Sequence, residues 1–198
     1  MTNRRLGGFL ILFALLFLFG PPTSALAEGR WFVSLFGGEV GYGSLGDTLI
    51  GKLRFNGNHH FVSAALGKEL YTWRNTIRLE LEGHAGQHWG TGKSHNEFNA
   101  VFVVRWLPFW WDHFVDTSFA VGEGLSYATR IPSIEEEQYE EKTSKWLNYL
   151  SFDLEFTSPR PSPWSGFFRI HHRSGVDGLF GDVRGASNAL AVGVKYTF

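Results

Sequence analysis

The residues best placed by type and spacing to do chemistry are His172 and Ser174, in the segment Arg169-Ile170-His171-His172-Arg173-Ser174-Gly175. On an extended strand, residues i and i+2 share a face, with Cα atoms roughly 6.6 Å apart. An imidazole spans that gap to a hydroxyl, so the pair suits a general base beside a nucleophile. The register starting at His171 fails, because its partner two positions on is Arg173. His59, His60, His84, His88 and His95 raise the question of a metal, and His84 and His88 fall on one face of a single strand. No carboxylate-plus-histidine set has the spacing of a known site, so a polar network is expected and neither a metal nor a cofactor. The absence of Cys removes thiol nucleophiles, Cys-ligated zinc and disulfides. No phosphate-cradling glycine loop is present. Trp106, Trp110 and Trp111 read as interfacial anchors rather than as a sugar-stacking platform.

The elements that must carry these residues follow from period-two alternation. Between Thr76 and Trp89, Ile77, Leu79, Leu81, Ala85 and Trp89 alternate with Arg78, Glu80, Glu82, His84 and His88. Trp146, Leu150, Phe152, Leu154 and Phe156 form one apolar column, and Leu190, Val192, Val194, Tyr196 and Phe198 another. Eight such strands are expected, at 31–41, 59–71, 76–89, 96–107, 115–127, 145–156, 165–174 and 187–198, with room for an extra hairpin between Asp47 and Arg54. Strands of this length, in even number, with one apolar and one polar face, meet the requirements of a transmembrane barrel, in which closure satisfies every backbone group. The fold class is therefore all-β, an eight-stranded antiparallel transmembrane β-barrel. The 33 aromatic residues and 24 Gly suit such a barrel, and a terminal Phe198 favours it over a soluble lipocalin-like one. The balance of 18 Lys plus Arg against 19 Asp plus Glu leaves no basic surplus for nucleic acid.

The chain opens as an export signal: Arg4 and Arg5, an apolar run from Phe9 to Phe19, then Ala25-Leu26-Ala27 as a cleavage pattern. The expected organisation is a signal peptide at 1–27 and one barrel domain at 28–198, delivered to the bacterial outer membrane and its barrel-assembly machinery. Trp73-Arg74-Asn75, residues 108–113 and the Pro-rich 158–163 read as the short turns, with Trp110, Trp111 and Trp164 at the interface. The longest opposite loop, 128–144, holds Glu135-Glu136-Glu137 and Glu140-Glu141. It reads as a solvated acidic loop, with divalent cations bridging lipopolysaccharide phosphates as the functional alternative. On the seventh strand Arg169 and Arg173 belong to the polar interior, so His172 and Ser174 continue the outward, lipid-facing column near the loop end. Ester bonds of membrane lipids lie at that depth.

The segment 169–175, near the end of an exported eight-strand pattern, resembles the lipid A 3-O-deacylase family, PagL. Phe119 to Thr129, with Gly122-Glu123-Gly124-Leu125-Ser126-Tyr127, is also similar to relatives of that family. The resemblance implies an outer-membrane esterase that removes the 3-O-linked acyl chain from the lipid A of lipopolysaccharide without a metal, with His172 as base and Ser174 as nucleophile. It also implies a Glu about a dozen positions after the Ser, where this chain has Ala186. Asp182 is the expected substitute acid, with Asp177 and Glu123 as alternatives. Gly175 stands where the family has an Asn, and its amide and Asn188 are the oxyanion candidates. The competing reading is a non-catalytic barrel that interacts with lipopolysaccharide.

Overall fold

The computed structural model describes residues 29–138, 143–180, 182–183 and 186–198; the expected signal peptide and the Glu140-Glu141 pair lie outside them. The alternating segments form eight strands: β1 (Trp31–Gly41), β2 (His59–Trp73), β3 (Ile77–Gly90), β4 (His95–Trp106), β5 (Asp116–Ala128), β6 (Trp146–Thr157), β7 (Trp164–Ser174) and β8 (Ala186–Thr197). Each pairs antiparallel with its sequence neighbour, and β1 closes on β8 from Phe32↔Thr197 to Gly41↔Asn188. The expected eight-stranded antiparallel barrel is what forms. Two short helices cap the loop end: α1 (Leu45–Leu49) and α2 (Ser133–Gln138). In place of an extra hairpin between Asp47 and Arg54, the chain makes α1 and a single Tyr42↔Arg54 bridge.

The local cause of closure is visible at the turns. Arg74 and Asn75 both adopt positive φ, 50° and 54°, which gives the turn between Trp73 and Ile77 a twist that matches the flanking strands. The Thr76 amide donates to the Trp73 carbonyl at 2.9 Å and completes the turn.

Side chains alternate across the wall as the period requires. Outward positions include Leu35, Leu66, Leu81, Phe98, Phe168, Val192 and Val194, all exposed on an apolar belt. Trp31, Trp73, Trp106, Trp164 and Phe198 ring the turn end, and Trp89 and Trp146 mark the loop end. Along β3 the outward column from Ile77 to Trp89 covers about 28 Å of barrel height for a strand tilted about 45°.

The inside is filled by side chains. Arg105 grips Glu80 through Nε and Nη2 at 2.8 and 3.0 Å and reaches Glu155 at 2.9 Å. Deeper, Arg169 holds Asp153 through Nε and Nη2, both at 2.7 Å, and Glu82 at 3.1 Å. Its guanidinium also lies 4.7 Å from the Phe36 ring centre and 5.2 Å from that of Phe167. Buried charges are tolerated here because each is answered by an opposite charge with hydrogen-bonding geometry. At the loop end Arg173 pairs with Glu135 of α2 at 2.7 Å and donates to the Lys145 carbonyl at 2.7 Å. Glu135 is buried and also accepts from Ser187 at 2.8 Å. The first half of the acidic loop therefore turns one carboxylate into the barrel, where it gives Arg173 a closer partner than Glu97 at 3.8 Å. Burial raises the Glu135 carboxyl above its ordinary range, with Arg173 pulling the other way.

Candidate active site

Four strands bring polar side chains together on the outer wall, near the loop end. The pairing registers align Glu123, Leu150, His172 and Asn188 in one row across β5, β6, β7 and β8. The next row aligns Leu125, Asn148, Ser174 and Ala186. Each of these positions follows the outward parity of its strand, so Glu123, Asn148, His172, Ser174 and Asn188 form a polar strip set into an apolar wall. The contrast along β7 and β8 is sharp. Phe168 and Val192 are each 59% exposed, whereas His172 is 6% exposed and Asn188 fully buried.

The orientation of His172 is fixed by a chain of three groups. Its Nδ1 lies 2.7 Å from Asn188 Oδ1, and Asn188 Nδ2 donates to the Gly43 carbonyl at 2.8 Å. A carbonyl only accepts, so the amide end that meets Gly43 must be the NH2 group, and the end that meets His172 must be the oxygen. An oxygen there requires Nδ1 to carry the proton, which leaves the lone pair of a neutral ring on Nε2. That is the tautomer a general base needs.

Gly43 is held in turn by the start of α1. Ser44 caps the helix: its hydroxyl accepts from the Asp47 amide at 3.1 Å, and Asp47 Oδ2 accepts from the Ser44 amide at 2.9 Å. This reciprocal box satisfies two otherwise unpaired amides. Gly43 itself has φ +145°, where a side chain would be strained, and an added Cβ would stand 3.3 Å from Asp47 Cβ. The hydrogen bonds from Ser44, first its side chain and then its backbone, hold the Asp47 carboxyl below its usual range. The Ser-x-x-Asp pattern after Gly43 was a legible helix start, but its role in holding the Asn188 partner was not.

Ser174 is half-buried, and among the described residues its hydroxyl makes no hydrogen bond, so it is not held away from an incoming group. Asp182 lies in an exposed turn with φ +60°, and Asp177 is exposed on the same loop. The partner seen on His172 Nδ1 is Asn188, not Asp182. Asn188 turns its oxygen to His172 and one amide hydrogen to Gly43, and both bonds orient the imidazole. Gly175 has a packing reason for being glycine: a Cβ there would lie 1.9 Å from the Val183 carbonyl oxygen. Glu123 hydrogen-bonds Asn148, which also donates to the Gly124 carbonyl at 3.2 Å. Glu123 sits two strands from His172 and does not reach it. His172 and Ser174 lie in adjacent rows of one outward column, with no hydrogen bond between them among the described residues, and sequence reasoning missed Asn148, whose outward parity on β6 was the available signal.

No protein-family model matches the chain, and no curated protein matches it. Among solved structures, the chain is similar to the crystal structure of the outer membrane enzyme PagL, with a TM-score of 0.50 and 15% identity. The match covers 83% of this chain and 98% of that one, and it is a likeness of fold.

Proposed function

From a barrel fold shared with an outer membrane enzyme, and a polar strip set into its apolar wall, we propose that this chain is an outer-membrane esterase. Its substrate is an acyl ester of a membrane lipid, the 3-O-linked chain of lipid A in lipopolysaccharide. The observation that carries the reading is the His172–Asn188–Gly43 chain beside Ser174 on the outward wall. A tautomer-fixed base next to a hydroxyl is of use on that wall only to a substrate that arrives through the lipid. The height of the strip, near the loop end, suits the boundary where ester carbonyls lie. The segment 169–175 that resembles the deacylase family supplies the choice of lipid A.

In this mechanism Ser174 Oγ attacks the ester carbonyl carbon while His172 Nε2 takes the hydroxyl proton. The carbonyl π pair moves to oxygen, and the Gly175 amide is the donor to that oxyanion. Collapse breaks the bond to the sugar oxygen, which receives the proton back from His172, and the acyl group remains on Ser174. Water, deprotonated by the same Nε2, then releases the fatty acid and restores Ser174. Asn188 contributes orientation without the negative charge that a carboxylate would set beside the imidazolium, an arrangement also used by the Cys-His-Asn sites of papain-like proteases.

Mass spectrometry of lipid A from a host expressing the wild-type chain, Ser174→Ala or His172→Ala at matched folded levels tests the proposal. Loss of one 3-hydroxyacyl mass with the wild type alone is the expected result. Unchanged lipid A with a folded wild-type barrel, or equal loss with Ser174→Ala, overturns it.

A further inference from the structure

On the inner face of the same wall, the loop end of the lumen gathers a second set of groups that the esterase reading does not use. His88 of β3 and His95 of β4 are directly paired across the hairpin, and their rings stack at 4.6 Å. Glu97, two residues after His95, points to the same side. All three are buried, and one ligand atom from each lies within 4.8 Å of the other two. They line a cavity of about 30 Å³ together with His59 and His171. A void of that size holds a small ion and little more.

Three details favour a metal over a hydrogen-bonded cluster. First, His95 Nε2 is buried with no hydrogen-bond partner, so that nitrogen is open to a ligand. Second, His88 Nε2 lies 3.5 Å from Glu97 Oε2. Two ligands on a tetrahedral zinc at 2.0–2.1 Å stand roughly 3.4 Å apart. Third, the other carboxylate oxygen is already positioned: Glu97 Oε1 accepts from Asn99 at 2.9 Å and meets His171 Nε2 at 3.0 Å. Oε2 is left to the cavity. The nearby positive charge is answered, since Arg173, 3.8 Å from Glu97, is paired with Glu135 at 2.7 Å.

We propose that His88 Nε2, His95 Nε2 and Glu97 Oε2 bind a borderline divalent cation of the zinc type, with water completing the tetrahedron. Such an ion ties β3 to β4, and its ligand Glu97 also meets His171 of β7 at 3.0 Å. Two imidazoles and one carboxylate suit zinc over calcium or magnesium, which prefer oxygen ligands.

The test is titration of the metal-stripped, refolded chain in detergent with zinc at pH 7, followed by calorimetry, and with cobalt, read by its visible spectrum. One zinc per chain and a tetrahedral cobalt spectrum are expected. His95→Gln and Glu97→Gln, each folded by circular dichroism and heat-modifiable migration, weaken binding at least tenfold; His113→Gln, on the exposed surface, changes nothing. If His95→Gln does not fold, His88→Gln serves in its place, and the wild-type cobalt spectrum stands independently. No binding by folded wild type at 100 µM zinc, an octahedral cobalt spectrum, or undiminished binding by folded His95→Gln and Glu97→Gln overturns the proposal.

Discussion

Replacing Asn188 with Ala isolates the step from orientation to chemistry. The change removes the 2.7 Å contact to His172 Nδ1, while the Gly43 carbonyl keeps a donor in Gln138 Nε2 at 3.3 Å. Two hydrogen bonds go and the buried His172 Nδ1 loses its acceptor, so folding should lose about 2–3 kcal/mol. The catalytic loss is separate, because the bond to His172 strengthens as the ring becomes an imidazolium. A hydrogen bond to a charged group is worth about 1.5–3 kcal/mol, which converts to a fall in kcat of about 10- to 150-fold. The assay is release of fatty acid from purified lipopolysaccharide in detergent micelles, with the folded fraction measured by heat-modifiable migration. Asn188→Asp provides the contrast. It keeps an acceptor for Nδ1 but turns an oxygen toward Gly43 at the present 2.8 Å, so it should hydrolyse faster than Asn188→Ala while unfolding more readily. A folded Asn188→Ala chain with kcat within twofold of wild type would refute the positioning argument.

Two further outcomes follow from groups away from the reacting atoms. Arg169→Met leaves Asp153 with only Arg105 at 3.9 Å and strips Glu82 of its guanidinium, though His84 still meets Glu82 at 2.7 Å. Stability measured by urea unfolding in detergent should fall by about 3–5 kcal/mol; a loss under 1 kcal/mol would show that the lumenal network is not holding the wall. Asp47 supplies a pH dependence. Its folded value lies below its unfolded one, so its contribution to the α1 cap is present above the ordinary carboxylate range and is lost as pH falls through the lowered value. Protection factors of the Ser44 and Asp47 amides, taken against the intrinsic exchange rate at each pH, should fall on acidification, and not in Asp47→Asn, where the cap is already weakened; equal protection factors at pH 7 and pH 3 in the wild type would contradict it.

The strand plan was legible because alternation is local. Each run of apolar and polar residues specifies its own two faces, and turns such as Trp73-Arg74-Asn75-Thr76 mark where one strand gives way to the next. The same parity was enough to place His172 and Ser174 on the outer column and Arg169 and Arg173 in the lumen. The partner of His172 was not legible. A separation counted in residues suggested the region of Ala186 and the loop carboxylates, whereas the cross-strand register sets Ala186 opposite Ser174 and Asn188 opposite His172. That register is decided when β1 and β8 close the barrel, and the amide orientation is decided by Gly43, 145 residues away in sequence. Glu135 illustrates the same limit, since its acidic run reads as solvated until closure places Arg173 beneath it. So does the His88, His95 and Glu97 cluster, which has no single-segment spacing because a β-hairpin assembles it from two strands. Sequence by itself determined which face each side chain takes, since that needs only the two-residue repeat of a strand. Tertiary structure alone decided which faces meet, because partnership depends on register and loop closure across the whole ring.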